Sequence, residues 1–115
     1  MDLSIVIVNW NTRDMLRSCL ASIPAEAELQ TEIIVIDNAS GDGSADMVAE
    51  EFPSARLIRN SANLGFATAT NQGLRAASGR HLLLLNSDTL VLDDVLTQTV
   101  RYMDTNSEVG MMGCK

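Results

Sequence analysis

Ile5-Val6-Ile7-Val8 is the first of three short, continuous apolar runs, and the other two are Ile33-Ile34-Val35-Ile36 and Leu82-Leu83-Leu84-Leu85. Polar or turn residues bound each run on both sides. Apolar runs of this length, without alternation, are typical of strands that are buried on both faces of a parallel sheet. The three runs therefore predict an α/β fold with helices on both sides of a mostly parallel sheet.

Helical periodicity fills the segments between the runs. Apolar residues recur at helical spacing in two of them, and the members are Leu16, Cys19, Leu20 and Ile23 in the first and Leu96, Val100 and Met103 in the last. A third helix, rich in small residues, is predicted from about residue 67 to 77, and its buried face is expected to carry Ala67, Thr70, Leu74 and Ala77. We expect Gly79 to end that helix. Residues suited to N-caps are Thr12, Ser44 and Asp93.

Two weaker strand candidates complete the order of elements. Residues 55–59 carry Leu57-Ile58 between two arginines, which favours an edge strand, and residues 109–114 form the second candidate. The chain then follows the order β-α-β-α-β-α-β-α-β, with strands starting near residues 3, 32, 55, 81 and 109. This spacing suits right-handed βαβ units. We therefore predict a three-layer α/β/α fold around a doubly wound, Rossmann-like sheet.

Length and composition restrict the class of protein. The 115 residues are enough for one layered domain spanning residues 1–115, and 46% hydrophobic and 20% charged residues are ordinary globular usage. The formal net charge of −7 repels a phosphate backbone, which argues against nucleic-acid polymers as partners. A single nucleotide remains compatible with this charge, because helix N-termini and a divalent cation can neutralise phosphate locally.

Membrane and secretion signals are not predicted from the sequence. The longest apolar run is far below the roughly 20 residues that a spanning helix needs, and Asp2 stands where a signal peptide would carry positive charge. Cys19 and Cys114 lie in different predicted elements without a CxxC or Cys/His spacing. We expect both to be reduced thiols in the core of a cytoplasmic protein.

Polar clusters follow the predicted strands at their carboxyl ends. They are Asn9-Trp10-Asn11-Thr12, Asp37-Asn38-Ala39-Ser40 and Asn86-Ser87-Asp88-Thr89. Ligands of open parallel sheets bind at this edge, where the strand order reverses. His81 precedes its strand, so we expect this histidine to lie on the far side of the sheet, away from any site.

Common nucleotide motifs are absent. No GxGxxG follows the first strand, which disfavours a nicotinamide dehydrogenase, and no GxxxxGK[ST] occurs, which excludes a P-loop. Gly41-Asp42-Gly43 is more simply a turn before the second helix. Asn86 and Asp88 offer side-chain oxygens that suit Mg²⁺ or Mn²⁺, although an Asx turn that closes the strand explains the same pair.

Four blocks of sequence together resemble the donor-binding half of family 2 glycosyltransferases, which have the GT-A nucleotide-diphospho-sugar transferase fold. The blocks are Ser4-Ile-Val-Ile-Val-Asn-Trp-Asn-Thr12, Glu32-Ile-Ile-Val-Ile-Asp-Asn-Ala-Ser40, Asn63-Leu-Gly-Phe-Ala67 with Asn71-Gln-Gly73, and Leu82-Leu-Leu-Leu-Asn-Ser-Asp88. The segments Asn-Trp-Asn-Thr and Asn-Ser-Asp-Thr most resemble those of the rhamnosyltransferase-like branch. The resemblance implies transfer of a sugar from a nucleoside-diphosphate-sugar to an acceptor hydroxyl, assisted by Mg²⁺ or Mn²⁺.

The resemblance also implies roles for residues. Trp10 would stack on the nucleobase and Asp37 would bind the base edge or ribose, while the loop from Asn63 to Phe66 would close over the base. Asp88, with Asn86, would bind the metal that bridges the diphosphate. The implied donor-binding set is Asn9, Trp10, Asn11, Asp37, Asn38, Asn63, Gly65, Phe66, Asn71, Asn86 and Ser87. Simpler roles stay open: Trp10 as a core aromatic, Asn63 as a turn residue and Asn71 as a packed helix amide.

Two departures from the family pattern limit what the resemblance implies. The metal motif is usually Asp-x-Asp, and Asn86 stands in place of the first acid. The acceptor pocket and the catalytic base of the family come from a later segment, so no residue here is assigned as base. We expect a truncated donor half that binds its nucleotide without efficient transfer.

Partners and location follow from the same resemblance. We expect a nucleotide-sugar, an unknown glycan or lipid-linked acceptor, and a cytoplasmic location that leaves a peripheral position at the inner membrane face open for a longer protein. Self-association through an exposed sheet edge also stays open. Two alternatives belong to other classes: a non-catalytic nucleotide-binding or regulatory module, and a flavodoxin-like or receiver-like interaction domain.

Overall fold

The computed structural model describes residues 1–24, 29–92, 95–106 and 110. Within them, a parallel sheet is formed by Leu3–Asn9 (β1), Thr31–Asp37 (β2), Arg56–Arg59 (β3) and His81–Asn86 (β4). The order across the sheet is β3-β2-β1-β4. The four strand positions are confirmed, and β3 is an edge strand as its arginines predict. The expected strand at residues 109–114 lies outside the described residues except for Gly110.

Helices cover both faces of the sheet. They are Arg13–Ser22 (α1), Ser44–Glu51 (α2), Phe66–Ala76 (α3) and Val95–Thr105 (α4). The chain steps from β1 to β2 to β3 in one direction and then crosses back to β4, so right-handed crossovers place α3 on the face opposite α1 and α2. The three-layer, doubly wound α/β/α fold is therefore confirmed.

Two apolar cores separate along the alternation of β1. Ile5 and Ile7 point to the face that is covered by α1, α2 and α4, where they pack with fully buried residues such as Leu16 and Val48. Val6 points to the other face and packs beneath Ala69 of α3. Burial of both faces explains the unbroken apolar run of this central strand.

The β4 strand departs from the sequence prediction, because it is buried on one face only. Leu83 and Leu85 pack against the larger core, whereas Leu82 and Leu84 are 50% and 52% exposed. The reason is topological: β4 stands at the edge of the described sheet, and α3 lies over β1 and β2. An apolar run without alternation did not distinguish these two environments.

Helix ends differ from the predicted ones at two places. Gly43, with a φ of 83°, is the N-cap of α2, so the prediction that Ser44 caps this helix is wrong. Helix α3 has its C-cap at Ala77 instead of Gly79. Asp93 lies outside the described residues.

The buried face of α3 is also shifted relative to the prediction. Ala69, Thr70 and Gly73 are buried, whereas Ala67 is exposed. A Cβ on Gly73 would overlap the side chain of Val6 and stand 2.8 Å from Cδ1 of Ile36. The missing side chain of Gly73 therefore lets the helix approach the sheet and sets which residues are buried.

An ion-pair cluster joins the amino ends of β1 and β4 to the end of α4. Arg80 binds Asp2 and donates to Asp104, and His81 Nε2 is 2.8 Å from Oδ1 of Asp104. These pairs lie at the opposite end of the sheet from Asn9 and Asn86. The prediction that His81 lies away from the carboxyl-end edge is confirmed.

Candidate functional site

The carboxyl ends of β1, β2 and β4 meet at one edge because the strands are parallel and in register. Asn9 is opposite Asp37, and Val8 is opposite Asn86. The strand order reverses between β1 and β4, so this edge is the switch point where ligands of such sheets bind. The predicted clusters after these three strands are thus brought together.

Asp37 is a buried carboxylate, 3% exposed, with three hydrogen-bond donors of the protein around it. Its Oδ1 accepts from Asn9 Nδ2 at 3.1 Å and from Ser40 Oγ at 2.7 Å, and its Oδ2 accepts from the Ser40 backbone N–H at 3.0 Å. An ionised carboxylate has about four acceptor positions, so one position on Oδ2 is left for a further donor.

Thr12 links the ends of β1 and β4. It stands at the N-cap of α1, but its hydroxyl makes no capping hydrogen bond. Thr12 Oγ1 instead donates to Asn9 Oδ1 at 2.6 Å and lies 2.9 Å from Ser87 Oγ. Asn9 is itself fully buried, so both ends of its amide are used inside the protein.

Trp10 follows the buried Asn9 and points outward, with 54% of its surface exposed. The interpretation of Trp10 as a core aromatic is therefore wrong. Asn11 comes next in a left-handed conformation with a φ of 52°, and its Oδ1 accepts from the Gly41 N–H at 2.8 Å. This turn fixes the backbone beside the exposed indole.

Asn38 holds the loop that leads into α3. Its Nδ2 donates to the Gly65 carbonyl at 3.2 Å, and its Oδ1 accepts from Asn60 Nδ2 at 3.0 Å. Gly65 has a φ of 84° and a ψ of 167°, a region that is essentially restricted to glycine. Beside it, Asn63 is exposed and Phe66 is 62% exposed. The loop thus presents an aromatic ring near the Asn38 corner of the site.

Asn86, the last residue of β4, and Asp88, two residues later, are both exposed, and their side chains supply one amide oxygen and one carboxylate. Hard oxygen donors of this kind fit Mg²⁺ or Mn²⁺, which keep several waters and take further oxygen from phosphates. No group of three His, Cys, Asp or Glu side chains suited to a metal occurs among the described residues. The donor set therefore fits a cation that is shared with a diphosphate.

Cys19 lies beneath Asn86. Its Sγ is 3.8 Å from the carbonyl oxygen of Asn86. Burial and, to a smaller extent, the negative charge of Asp88 raise the pKa of the Cys19 thiol to about 11. Cys19 is therefore a protonated core thiol, as predicted, and Cys114 lies outside the described residues.

One predicted residue stands apart, and the contacts of four others were not predicted. Asn71 is exposed on α3 and, among the described residues, does not join the hydrogen-bonded group at the strand ends. The four are Thr12 and Ser40, which belong to the predicted polar clusters but were given no role in the site, and Asn60 and Gln72, which were not named. A hydroxyl three residues after Asn9 and another three residues after Asp37 are typical of local side-chain turns, which is the signal that could have identified the first two.

The model of the family described as "Glycosyl transferase family 2" matches residues 4–114. The chain belongs to this family. Among curated relatives, it is 32% identical over 104 residues to the succinoglycan biosynthesis protein ExoO of Rhizobium meliloti, covering 90% of this chain and 30% of that protein. It is 28% identical over 104 residues to an Escherichia coli protein named UDP-Glc:alpha-D-GlcNAc-diphosphoundecaprenol beta-1,3-glucosyltransferase WfaP, covering 89% and 41%. The chain spans about a third of the length of the first curated relatives.

Solved structures of other proteins share the fold. TarS of S. aureus in complex with UDP-GlcNAc superposes with a TM-score of 0.84 at 19% identity, covering all of this chain and 37% of that one. The mannosyltransferase PcManGT from Pyrobaculum calidifontis, in complex with GDP-Man and Mn²⁺, gives a TM-score of 0.78 at 26% identity, covering 88% and 32%. The fold is therefore GT-A, and a flavodoxin-like or receiver-like domain is excluded.

Proposed function

We propose that the chain is the donor-nucleotide-binding part, residues 1–115, of a glycosyltransferase that transfers a sugar from a nucleoside-diphosphate-sugar to an acceptor hydroxyl. The observation that carries this proposal is the pairing of an exposed indole, Trp10, with a buried carboxylate, Asp37, at the strand edge that also holds Asp88. An aromatic ring and an acceptor suit the nucleobase, and a metal-binding oxygen suits the diphosphate.

Base recognition falls to Trp10 and Asp37. An indole offers a flat apolar face at low entropic cost, and the remaining acceptor position of Asp37 suits the N3–H of uracil or thymine. The loop from Asn63 to Phe66, held by Asn38, would cover the base from the other side. Uridine and thymidine nucleotides are therefore expected to bind better than adenosine nucleotides, because adenine N1 carries no proton.

The diphosphate would share a divalent cation with Asp88 and Asn86. When bound, such a cation acts as a Lewis acid that stabilises the departing diphosphate. Support comes from the side-chain oxygens of Asn86 and Asp88 and from the Mn²⁺ and GDP-Man named with the mannosyltransferase neighbour. Asn86 contributes no charge, so we expect metal binding to depend on the nucleotide being present.

The proposal is tested by calorimetric titration with UDP, dTDP, GDP and CDP, each with and without Mn²⁺. We expect UDP and dTDP to bind more tightly than ADP, titrated beside them, by more than one neutral hydrogen bond of roughly 1 kcal/mol, since the acceptor is charged and adenine N1 carries no proton. Asp37→Asn should reduce this margin, while Asp46→Asn, an exposed ion-pair residue of α2, serves as the matched control. Failure to bind any of the four would remove the donor-site assignment.

The branch of the family, the acceptor and the cellular location belong to the same proposal. The segments Asn-Trp-Asn-Thr and Asn-Ser-Asp-Thr favour the rhamnosyltransferase-like branch. Comparing the affinities for dTDP-rhamnose and UDP-glucose tests this assignment. A glycan or lipid-linked hydroxyl is the proposed acceptor, and a cytoplasmic site, with the longer protein peripheral at the inner membrane face, is the proposed location. No helix in the described part of the chain is long and apolar enough to cross a membrane.

A non-catalytic nucleotide-binding module is the second candidate function. The observation that favours it is Asn86, which lowers the number of anionic ligands at the metal motif. Such a module would bind UDP but would show no sugar transfer or donor hydrolysis when the chain is part of its longer protein. Release of UDP from UDP-sugars by that protein would decide for the transferase.

A further inference from the structure

A chain of hydrogen bonds runs from the proposed base-reading carboxylate to the proposed metal motif. It passes from Asp37 to Asn9 at 3.1 Å, from Asn9 to Thr12 at 2.6 Å and from Thr12 to Ser87 at 2.9 Å. Asn9 is fully buried, and Thr12 and Ser87 are half-buried. These hydrogen bonds therefore connect the two subsites through side chains that are buried at Asn9 and half-buried at Thr12 and Ser87.

The direction of every bond in this chain follows from the charge of Asp37. An ionised carboxylate only accepts, so Asn9 must present its NH₂ to Asp37 and its carbonyl oxygen to Thr12. The Thr12 hydroxyl has one proton, which it donates to Asn9 Oδ1. Ser87 must then donate its own proton to Thr12, because the contact between the two hydroxyls needs one donor.

We propose that Thr12 is a positioning residue that couples the two subsites by holding the Ser87 hydroxyl with its proton turned inward. Ser87 then offers only lone pairs to a ligand, so it can accept from a ribose hydroxyl or a metal-bound water but cannot donate to phosphate. The bond also fixes the backbone between Asn86 and Asp88 relative to Asp37. This inference rests on the proposed function and deepens it.

Thr12→Val is the decisive variant, since it keeps the shape of the side chain and removes the hydroxyl. UMP probes the base site, and UDP with and without Mn²⁺ probes the metal motif, all by calorimetry on the 115-residue chain. We expect UMP affinity to stay within about twofold of the parent, while the gain in UDP affinity from Mn²⁺ falls about fivefold or more, the loss of one hydrogen bond. Thr12→Ser should restore the gain.

Ser87→Ala should lose at least as much of the gain, because it removes the same bond and also the lone pairs offered to the ligand, and the double variant should be no worse than Ser87→Ala alone. Thr105→Val is the matched control: it deletes a threonine hydroxyl that donates to the Arg101 carbonyl on α4, at the other end of the sheet. Its UMP and UDP affinities should equal those of the parent.

The outcomes separate the coupling from the proposed function. A parent that binds no UDP overturns the proposed function and the coupling with it. A parent that binds UDP without a gain from Mn²⁺ overturns the coupling alone. So does a Thr12→Val variant whose gain is unchanged, or one that loses UMP and UDP affinity by the same factor, since the hydroxyl would then act only on the fold.

Discussion

Asn9 donates a buried hydrogen bond to Asp37, and this contact joins the last residues of β1 and β2. Asn9→Asp would place two carboxylates at that distance in a site that excludes water. Like charges raise the pKa of the pair in the folded state above its value in the unfolded chain. The folded state then binds more protons, so the stability of the variant falls as pH rises through this raised pKa.

Denaturant unfolding at pH 5 and pH 8 measures that effect. We expect the Asn9→Asp variant to lose more than about 1.4 kcal/mol relative to the parent at pH 8, one pKa unit, and less at pH 5. Asn63→Asp is the control, because Asn63 is exposed and its Oδ1 only accepts from the Gly65 N–H. Equal losses at both pH values would contradict the prediction.

Trp10→Ala should weaken UDP binding by about 1 to 3 kcal/mol, the range for a base that stacks on an aromatic ring. The folding free energy should change by less than about 1 kcal/mol, because large losses come from buried aromatics. Calorimetry and chemical denaturation on one preparation measure the two quantities. Tyr102→Ala, which truncates a 49% exposed ring on α4, should change neither the UDP affinity nor the folding free energy. Lost stability with retained affinity would contradict a role in base binding.

Asp88→Ala should abolish most of the Mn²⁺-dependent part of UDP binding and leave the fold intact. The side chain is exposed, and removing its charge relieves repulsion in a chain with a net charge of −7. Titration of UDP against Mn²⁺ concentration measures the effect, with Asp46→Ala as a control that removes an equally exposed acid. An unchanged Mn²⁺ gain in the Asp88 variant would show that the metal is bound elsewhere.

Gly73→Ala should destabilise the chain by about 1 to 3 kcal/mol, the usual cost of an extra methyl group in a packed interior. The new Cβ would overlap Val6 and press on Ile36, so α3 would have to move off the sheet. Gly41→Ala is the matched control, since a Cβ there has no neighbour within 4 Å. Urea unfolding measures the stability of both variants. If Gly73→Ala were as stable as Gly41→Ala, α3 would have shifted without an energetic cost.

Asp104 should contribute stability that is lost in acid. Hydrogen bonds from Arg80 and His81 hold the pKa of the Asp104 carboxyl at about 2, below its usual 3.8. The folded state therefore binds fewer protons than the unfolded chain between these two values, and stability falls as pH drops from about 4 toward 2. Asp104→Asn should show a smaller loss of Tm over this window than the parent. A parallel decline in both proteins would contradict the assignment.

Much of the fold could be predicted because its signals are local. The unbroken apolar runs identify β1 and β2, helical spacing identifies the buried Leu16, Cys19 and Leu20 of α1, and the arginines of β3 mark an edge. Parallel strands then require Asn9, Asp37 and Asn86 to share one edge of the sheet. These features depend on hydrophobic period and strand direction, which the sequence carries directly.

The features that could not be predicted depend on contacts between residues that are far apart in the sequence. Thr12 and Ser87 are 75 residues apart, and nothing in either motif states that their hydroxyls meet. Asn38 looked like a ligand residue, yet its amide is used to hold the loop at Gly65. The leucines of β4 gave the same pattern as a strand that is covered on both sides. Each of these outcomes is decided by packing that only the assembled sheet defines.

The outward position of Trp10 also determines what its fluorescence can report. It is the only tryptophan of the chain, and its ring is already largely hydrated in the folded state. Unfolding will therefore shift its emission maximum little, so intrinsic fluorescence is a weak probe of stability for this protein, and circular dichroism is needed instead. The same ring has much solvent to lose when a nucleobase covers it, which makes its emission a specific signal of an occupied base site.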